Sequence, residues 1–238
     1  MGRAYEVRKA SIQKTGAAKS KVYTMYAKEI YQAAKSGGTD ISSNSSLKRL
    51  VERAKKEQVP ADIIKRAIDK VNSGVDENYQ QAIYEMFGPS GSTFVVECLT
   101  DNPNRSVSDL RAVVNKCHIK MGAMGSVLFN YDHVCVVGFK GLTDEETMEL
   151  LIEKDIDFND IEIDEDLTVV YGEPTSLYEI KEAILSELEN IEFDIDEITY
   201  IAKEKVTLEG EDKEIFDRVI KMLDDAPDVQ NVYHNVNI

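Results

Sequence analysis

The sequence predicts a multidomain α+β protein: a basic N-terminal helical bundle followed by two ferredoxin-like α+β domains, one inserted in the other. Three observations lead there. Charge is segregated: Met1 to Gly74 holds 16 Lys or Arg against 7 Asp or Glu, a net of +9, and Val75 to Ile238 holds 12 against 37, a net of −25. Apolar residues recur at spacings of three and four through the first segment, the mark of helices with one buried stripe. After Gly74 the pattern changes to short strand-like runs alternating with single helices, in the order β-α-β, β-α-β-α, β-α-β. The expected division is residues 1–74, residues 75–132 plus 198–238, and an inserted acidic domain at 133–197.

The elements follow in order. From Lys21 to Ser36, Val22, Met25, Tyr26, Ile30 and Ala33 form one apolar stripe, and Ser36-Gly37-Gly38 ends the helix. A second stripe starts at Leu47 and runs through Leu50, Val51 and Ala54. Val59-Pro60-Ala61-Asp62 is a helix start, since proline suits the first turn and an acid there complements the dipole. Ile63, Ile64, Ala67, Ile68 and Val71 make its buried face, and Asn72-Ser73-Gly74 stops it. Strands are expected over 92–100, 125–131, 134–139, 161–163, 167–171, 197–205 and 229–236. Helices are expected over 104–117, from Thr143 with a capping box to Glu146, and over 177–189 and 212–224. The nested arrangement requires the final strand to pair with 92–100.

Composition excludes several classes. Apolar content of 42% suffices for packed cores, and few Gly and Pro argue against low-complexity stretches. No run of about 18 apolar residues exists to span a membrane, and the first residues lack the apolar core of a secretory signal. Cys98, Cys117 and Cys135, odd in number and widely spaced, fit reduced thiols in the cytoplasm better than a disulfide framework. His118, His133 and His234 have no metal-ligand spacing with them, and no phosphate loop, dinucleotide fingerprint or nucleophile elbow occurs. The expectation is a protein that is not an enzyme and needs no metal or other cofactor.

The chemistry present is cationic. A basic segment on an acidic chain implies a polyanion-binding face, with nucleic acid as the leading polyanion. The candidate nucleic-acid-binding residues are Arg3, Arg8, Lys9, Lys14, Lys19, Lys21, Lys28, Lys48, Arg49, Arg53, Lys55 and Lys56, with Tyr5, Tyr23, Tyr26 and Tyr31 interleaved. Lysine and arginine neutralise phosphates and release counterions, and tyrosine bonds phosphate or stacks on a base. A second basic spot, Lys116 to Ser126, holds Lys120 and a Gly122-x-x-Gly125 loop whose backbone N–H groups are candidates for phosphate, and Arg105 and Arg111 extend that edge. Taken singly, each cation has a bland alternative as a solvated surface residue, and the tyrosines as core. The acidic clusters at 144–146 and 224–225 read as solvated helix ends.

One set of motifs points to a family. Lys21-Val22-Tyr23, Glu29-Ile30-Tyr31, Glu52-Arg53-Ala54-Lys55 and Ile64-Lys65-Arg66-Ala67-Ile68 carry it in the first segment. Beyond it come Tyr84-Glu85-Met86-Phe87-Gly88-Pro89, Val96-Glu97-Cys98-Leu99-Thr100-Asp101-Asn102, Gly125-Ser126-Val127, Glu173-Pro174-Thr175 and Val232-Tyr233-His234-Asn235. With these the chain resembles, over nearly its whole length, the YebC/PmpR family of probable transcriptional regulatory proteins, nearest its YeeN-like branch. That family includes the mitochondrial translational activators of cytochrome oxidase. The resemblance departs at Tyr5, Val7 and Cys117-His118, where the family commonly has a tryptophan, a histidine and a glycine pair. It implies an N-terminal helical domain with two α+β domains, one inserted in the other, and a cytoplasmic DNA-binding regulator of transcription. A ribosome-associated factor holding rRNA or tRNA by the same basic face is the alternative; a third is a protein–protein module without nucleic acid, the basic bundle docking on an acidic partner or on its own acidic body, and the acidic domains are a candidate surface for a protein partner.

Overall fold

The computed structural model describes residues 3, 19–74, 76–188 and 191–237. By its contacts the chain separates into two compact units. Of the described residues, one comprises those within 19–128 and 205–237; the other comprises those within 129–204 together with Arg3.

The first unit opens with three helices: α1 (Lys19–Gly37), α2 (Ser45–Lys56) and α3 (Ala61–Asn72). They meet in one core of Ile30, Ala34, Leu47, Val51, Ala54, Val59, Ile64 and Ala67; the stripes expected for α2 and α3 face it, while on α1 the inward face runs through Tyr23, Ala27, Ile30 and Ala34, leaving the expected Val22 and Met25 outside the core. Asn44 fixes the α1–α2 joint. Its side-chain oxygen accepts from the Leu47 N–H at 3.0 Å, and its amide donates to the carbonyls of Ala33 (2.9 Å) and Gly38 (2.8 Å). A side-chain amide both caps α2 and ties down the orphan carbonyls that end α1.

A four-stranded antiparallel sheet follows. Its strands are β1 (Gln80–Phe87), β2 (Thr93–Thr100), β3 (Lys120–Met121) and β8 (Val229–His234), in the order β3-β1-β2-β8. Helix α4 (Pro103–Cys117) connects β2 to β3 around β1, a split β-α-β crossover. The helix before β8, α7 (Gly210–Asp225), shares a core with α4 and the sheet through Phe94, Val96, Leu110, Val113, Phe216 and Val219. The final strand pairs with β2, Phe94 opposite His234 and Glu97 opposite Asn231, as the nested topology requires.

The second unit contains β4 (Tyr131–Phe139), α5 (Asp144–Glu153), β5 (Asp160–Asp164), β6 (Leu167–Gly172), α6 (Leu177–Glu187) and β7 (Ile195–Ala202). Its strand order, β5-β6-β4-β7, with chain order β-α-β-β-α-β, is ferredoxin-like. The predicted capping box is present: Thr143 Oγ1 accepts from the Glu146 N–H, and the Glu146 carboxylate accepts from the Thr143 N–H. One sheet face packs Cys135, Val137, Phe139 and Val170 on Leu151, Leu177, Ile180 and Ile184 of the helices.

Three expectations give way. Residues 80–87 form a strand that the sequence reading leaves out, and it is a central one. Residues 125–130 are a loop and a 3-10 turn instead of a strand, because the N–H groups of Gly125, Val127 and Leu128 donate to the Glu85 carboxylate and leave no ladder to make. The strand assigned to the outer domain from residue 198 pairs along β4 from Tyr131–Ala202 to Gly138–Ile195, so it belongs to the second sheet.

Candidate nucleic-acid interface

Helix α2 carries the densest positive charge of the described bundle. Leu47, Val51 and Ala54 point into the core, and the remaining circumference holds two rows at helical spacing. Lys48, Glu52 and Lys55 form one row and Arg49, Arg53 and Lys56 the other. Lys48, Lys55 and Lys56 are exposed, while Arg49 and Arg53 are half-buried. Three cations in the last turn also complement the C-terminal end of the helix dipole, so α2 is stable with its charge at this end. Glu57 and Gln58 then turn the chain, Gln58 with φ at 57°, and α3 begins after Pro60. Helix α3 is more mixed outside: Lys65 and Arg66 alternate with Asp62 and Asp69, and Arg66 is paired with Asp62.

The other expected contacts fall elsewhere. Lys19 is exposed at the start of α1. Lys21 donates to the Asp224 carbonyl, and burial lowers its pKa against the pull of Asp224 and Asp225. Lys28 lies against the sheet, donating to Asp228 (3.0 Å), to the Leu99 carbonyl and to the Pro227 carbonyl (both 3.3 Å). Arg105 reaches the same carboxylate with Nε at 3.0 Å and Nη2 at 2.8 Å, and also binds Asp101 at 2.7 Å. Ser106 and Thr100 hydroxyls, each at 2.9 Å, complete the shell around Asp228, which is 3% exposed. Burial would push the Asp228 carboxyl up. The hydrogen bonds from Arg105, Lys28, Ser106 and Thr100 outweigh that and hold it well below the usual carboxylate range. Lys28 thus locks the bundle onto the first sheet, and Arg105 holds the start of α4 to the same carboxylate. Lys35 and Lys70 act alike, pairing with Asp76 and Glu77 in the segment leading to β1.

Arg3 lies with the second unit. It pairs with Asp160 and, at 3.7 Å, with Glu162, and its guanidinium sits 4.4 Å from the centre of the Tyr171 ring. Arg8, Lys9 and Lys14 lie outside the described residues.

The Gly122-x-x-Gly125 loop also departs from the expected role. Glu85, on β1 and 3% exposed, sends its carboxylate under the loop to accept from Gly125, Val127 and, at 3.0 Å, Leu128. Its own carbonyl accepts from Gly122 N–H at 2.7 Å. The N–H groups that a phosphate would need are therefore held by a carboxylate of the same chain. Gly125 adopts φ of 79°, and a Cβ at Gly122 would meet Ser126 Oγ at 2.5 Å, which accounts for both glycines without a ligand. Lys120 remains exposed on β3 opposite Phe87. Asp228 and Glu85 are the two organising residues that the sequence does not announce. A lone acid after Pro227 has no spacing to betray it, and Glu85 sits in a strand with apolar residues on both faces.

No group of His, Cys, Asp and Glu among the described residues could hold a metal ion. The three cysteines are buried, and burial pushes the Cys98 thiol up to about 12, with Asp228 adding to it.

These features define a class: an antiparallel α+β body carrying a cationic three-helix bundle fixed to its first sheet by a buried carboxylate. The chain belongs to the TACO1/YebC family. The profile of that family's N-terminal domain matches residues 3–74, and that of its second and third domains matches residues 79–236. A "probable transcriptional regulatory protein" of Marinobacter nauticus is 45% identical over 238 residues, covering 100% of this chain and 99% of the relative. One of the same description from Acholeplasma laidlawii is 47% identical over 237 residues, covering 99% and 98%. The crystal structure of a conserved hypothetical protein from Aquifex aeolicus matches with a TM-score of 0.72 at 31% identity, covering 94% of this chain and 92% of that one.

Proposed function

We propose that this protein is a cytoplasmic regulator of transcription, and not an enzyme, that binds DNA through phosphate contacts from its N-terminal bundle. The observation that carries the reading is the set of exposed lysines spread over the two outer rows of α2, Lys48, Lys55 and Lys56, in a bundle of opposite charge to the rest of the chain. Lysines on a helix surface act as point charges for phosphate; they set position on a duplex and carry no base information. The relatives' description as transcriptional regulators supports the same reading. No helix among the described residues is long and apolar enough to cross a membrane.

One observation favours a second reading, in which the same face binds ribosomal or transfer RNA. Helix α3, which a helix-turn-helix would insert in the major groove, presents Asp62 and Asp69 alongside its cations. A face of phosphate contacts without a base-reading helix suits structured RNA as well as duplex DNA. A protein partner on the acidic second unit is compatible with either.

The test measures binding of the full chain to promoter duplex and to purified ribosomes over a salt series. A promoter shift that survives competitor DNA supports the transcriptional reading; salt-sensitive co-sedimentation with ribosomes and no specific shift supports the second. Replacing Lys48, Lys55 and Lys56 by Gln is expected to lower the slope of log affinity against log salt by up to about 2.7 on a duplex, at ~0.9 per lost phosphate contact. A slope that does not change places the contacts on another surface.

A further inference from the structure

The loop that Glu85 holds ends in an apolar tip. Met124 is 95% exposed, the most exposed large apolar side chain among the described residues. It does not hang from a slack turn, because the backbone on both sides is anchored: Gly122, Gly125, Val127 and Leu128 all donate to Glu85, and Ser126 N–H donates to the Ala123 carbonyl at 3.1 Å. Beside it Phe87, 38% exposed, approaches the loop closely enough that a Cβ on Gly122 would lie 3.2 Å from its ring. Lys120 stands opposite Phe87 in the sheet register, and alternation puts Glu85, Phe87 and the 41%-exposed Ile83 on one face of β1.

The electrostatics decide what such a tip meets. From Leu110 to Tyr131 the sequence contains Arg111, Lys116 and Lys120 and not one Asp or Glu, in a body that is otherwise strongly acidic. The nearest carboxylate of β1, Glu85, is buried and satisfied by backbone donors. An apolar tip on a loop that packs by Gly122 against Phe87, with Lys120 across from Phe87 in the sheet, matches a nucleic-acid strand, whose bases offer flat apolar faces and whose backbone offers negative charge. A basic protein partner would be repelled by Lys120 and by the acid-free stretch that holds it.

We propose that Met124, backed by Phe87, contacts the face of an unstacked nucleobase, with Lys120 placed for the adjoining phosphate. The Glu85 clamp supplies the rigidity: an inserted side chain acts as a wedge only if its backbone does not yield. This rests on the nucleic-acid reading above and adds a second contact type, independent of the α2 phosphate row.

The experiment uses the full chain with a 20-nucleotide single strand and its duplex, each carrying 2-aminopurine, whose emission reports unstacking. Wild type is expected to raise the emission on binding. Met124→Ala is expected to abolish that rise and weaken binding about tenfold, the lower part of the range for losing a base contact, while leaving the salt slope unchanged. The Lys48, Lys55 and Lys56 to Gln variant is expected to do the reverse: a smaller slope and the full emission change at saturation. Because Met124 is exposed, its truncation leaves the core intact, and circular dichroism checks this. Wild-type affinity and emission in Met124→Ala overturn the proposal and leave the phosphate reading standing; the tip would then serve a protein partner. If wild type binds neither strand nor duplex at low salt, the nucleic-acid reading falls and this proposal with it.

Discussion

Asp228 shows what a single residue decides. Its carboxylate receives Arg105, Lys28, Ser106 and Thr100 at once, and two of these are cations that composition alone assigns to a phosphate face. Their sign was legible in the sequence; their partner was not, because Lys28 and Asp228 lie 200 residues apart and no local pattern links them. Asp228→Asn leaves both cations under-compensated. The expected cost is about 3 kcal/mol, the low end for breaking a buried pair, since the Arg105 side chain remains 42% exposed. The pH dependence has a definite sign. The folded carboxyl titrates below its unfolded value of about 3.9, so its stabilisation is complete above that value and is lost as pH falls towards the folded pKa. Urea midpoints measured from pH 7 down to pH 2 should therefore show the gap between wild type and Asp228→Asn constant above about pH 5 and narrowing below it. A gap that stays constant to pH 2 would contradict the ion-pair hub.

At the scale of elements, the helices were legible and two strands, β1 and the two-residue β3, were not. In α1 to α3 the apolar stripe is narrow and the outside polar, so a period of 3.6 stands out. In β1 the run Gln80–Phe87 has Ala82, Ile83, Tyr84, Met86 and Phe87 apolar, so alternation is blurred, and the one buried acid is a carboxylate that a loop covers. The same carboxylate explains why residues 125–130, which read as a strand, are a clamped turn. Glu85→Gln halves the acceptor capacity beneath three N–H donors and is expected to cost about 2 kcal/mol, in the range for bonds to a charged group. Amide exchange at Gly125, Val127 and Leu128 should accelerate ahead of the β1–β2 ladder. Uniform acceleration of the whole sheet would mean that Glu85 supports the strands and not the loop. Asn44→Ala offers a parallel test in the bundle. A lost cap alone costs about 1 kcal/mol, and here the amide also serves Ala33 and Gly38, so a larger loss in thermal unfolding is expected.

For the whole molecule, the charge partition was the clearest message of the sequence, and the structure gives it a mechanical meaning. Most of the acidic excess lies after the bundle, and the positive row on α2 sits on a helix whose other face is a packed core. The two sheets have separate cores, one around Phe94, Leu110 and Phe216 and the other around Val137, Leu151 and Ile184. Cores that share no side chains need not melt together. Native-state hydrogen exchange in rising denaturant should resolve residues 129–204 as one cooperative unit and the first sheet with its bundle as another. The chain has no tryptophan, so exchange is a better reporter than intrinsic fluorescence. A single isotherm for both regions would count against independent units.

The pairing of the last strand with β2 has a consequence for how the molecule is made. Glu97 and its partner Asn231 are separated by 134 residues, so during synthesis one long edge of the first sheet stands open while the second unit is still being translated. The bundle, whose contacts are local, completes early; its Lys28 then waits for a carboxylate not yet made. Until Asp228 emerges, the nascent protein is a finished cationic head on an unfinished body.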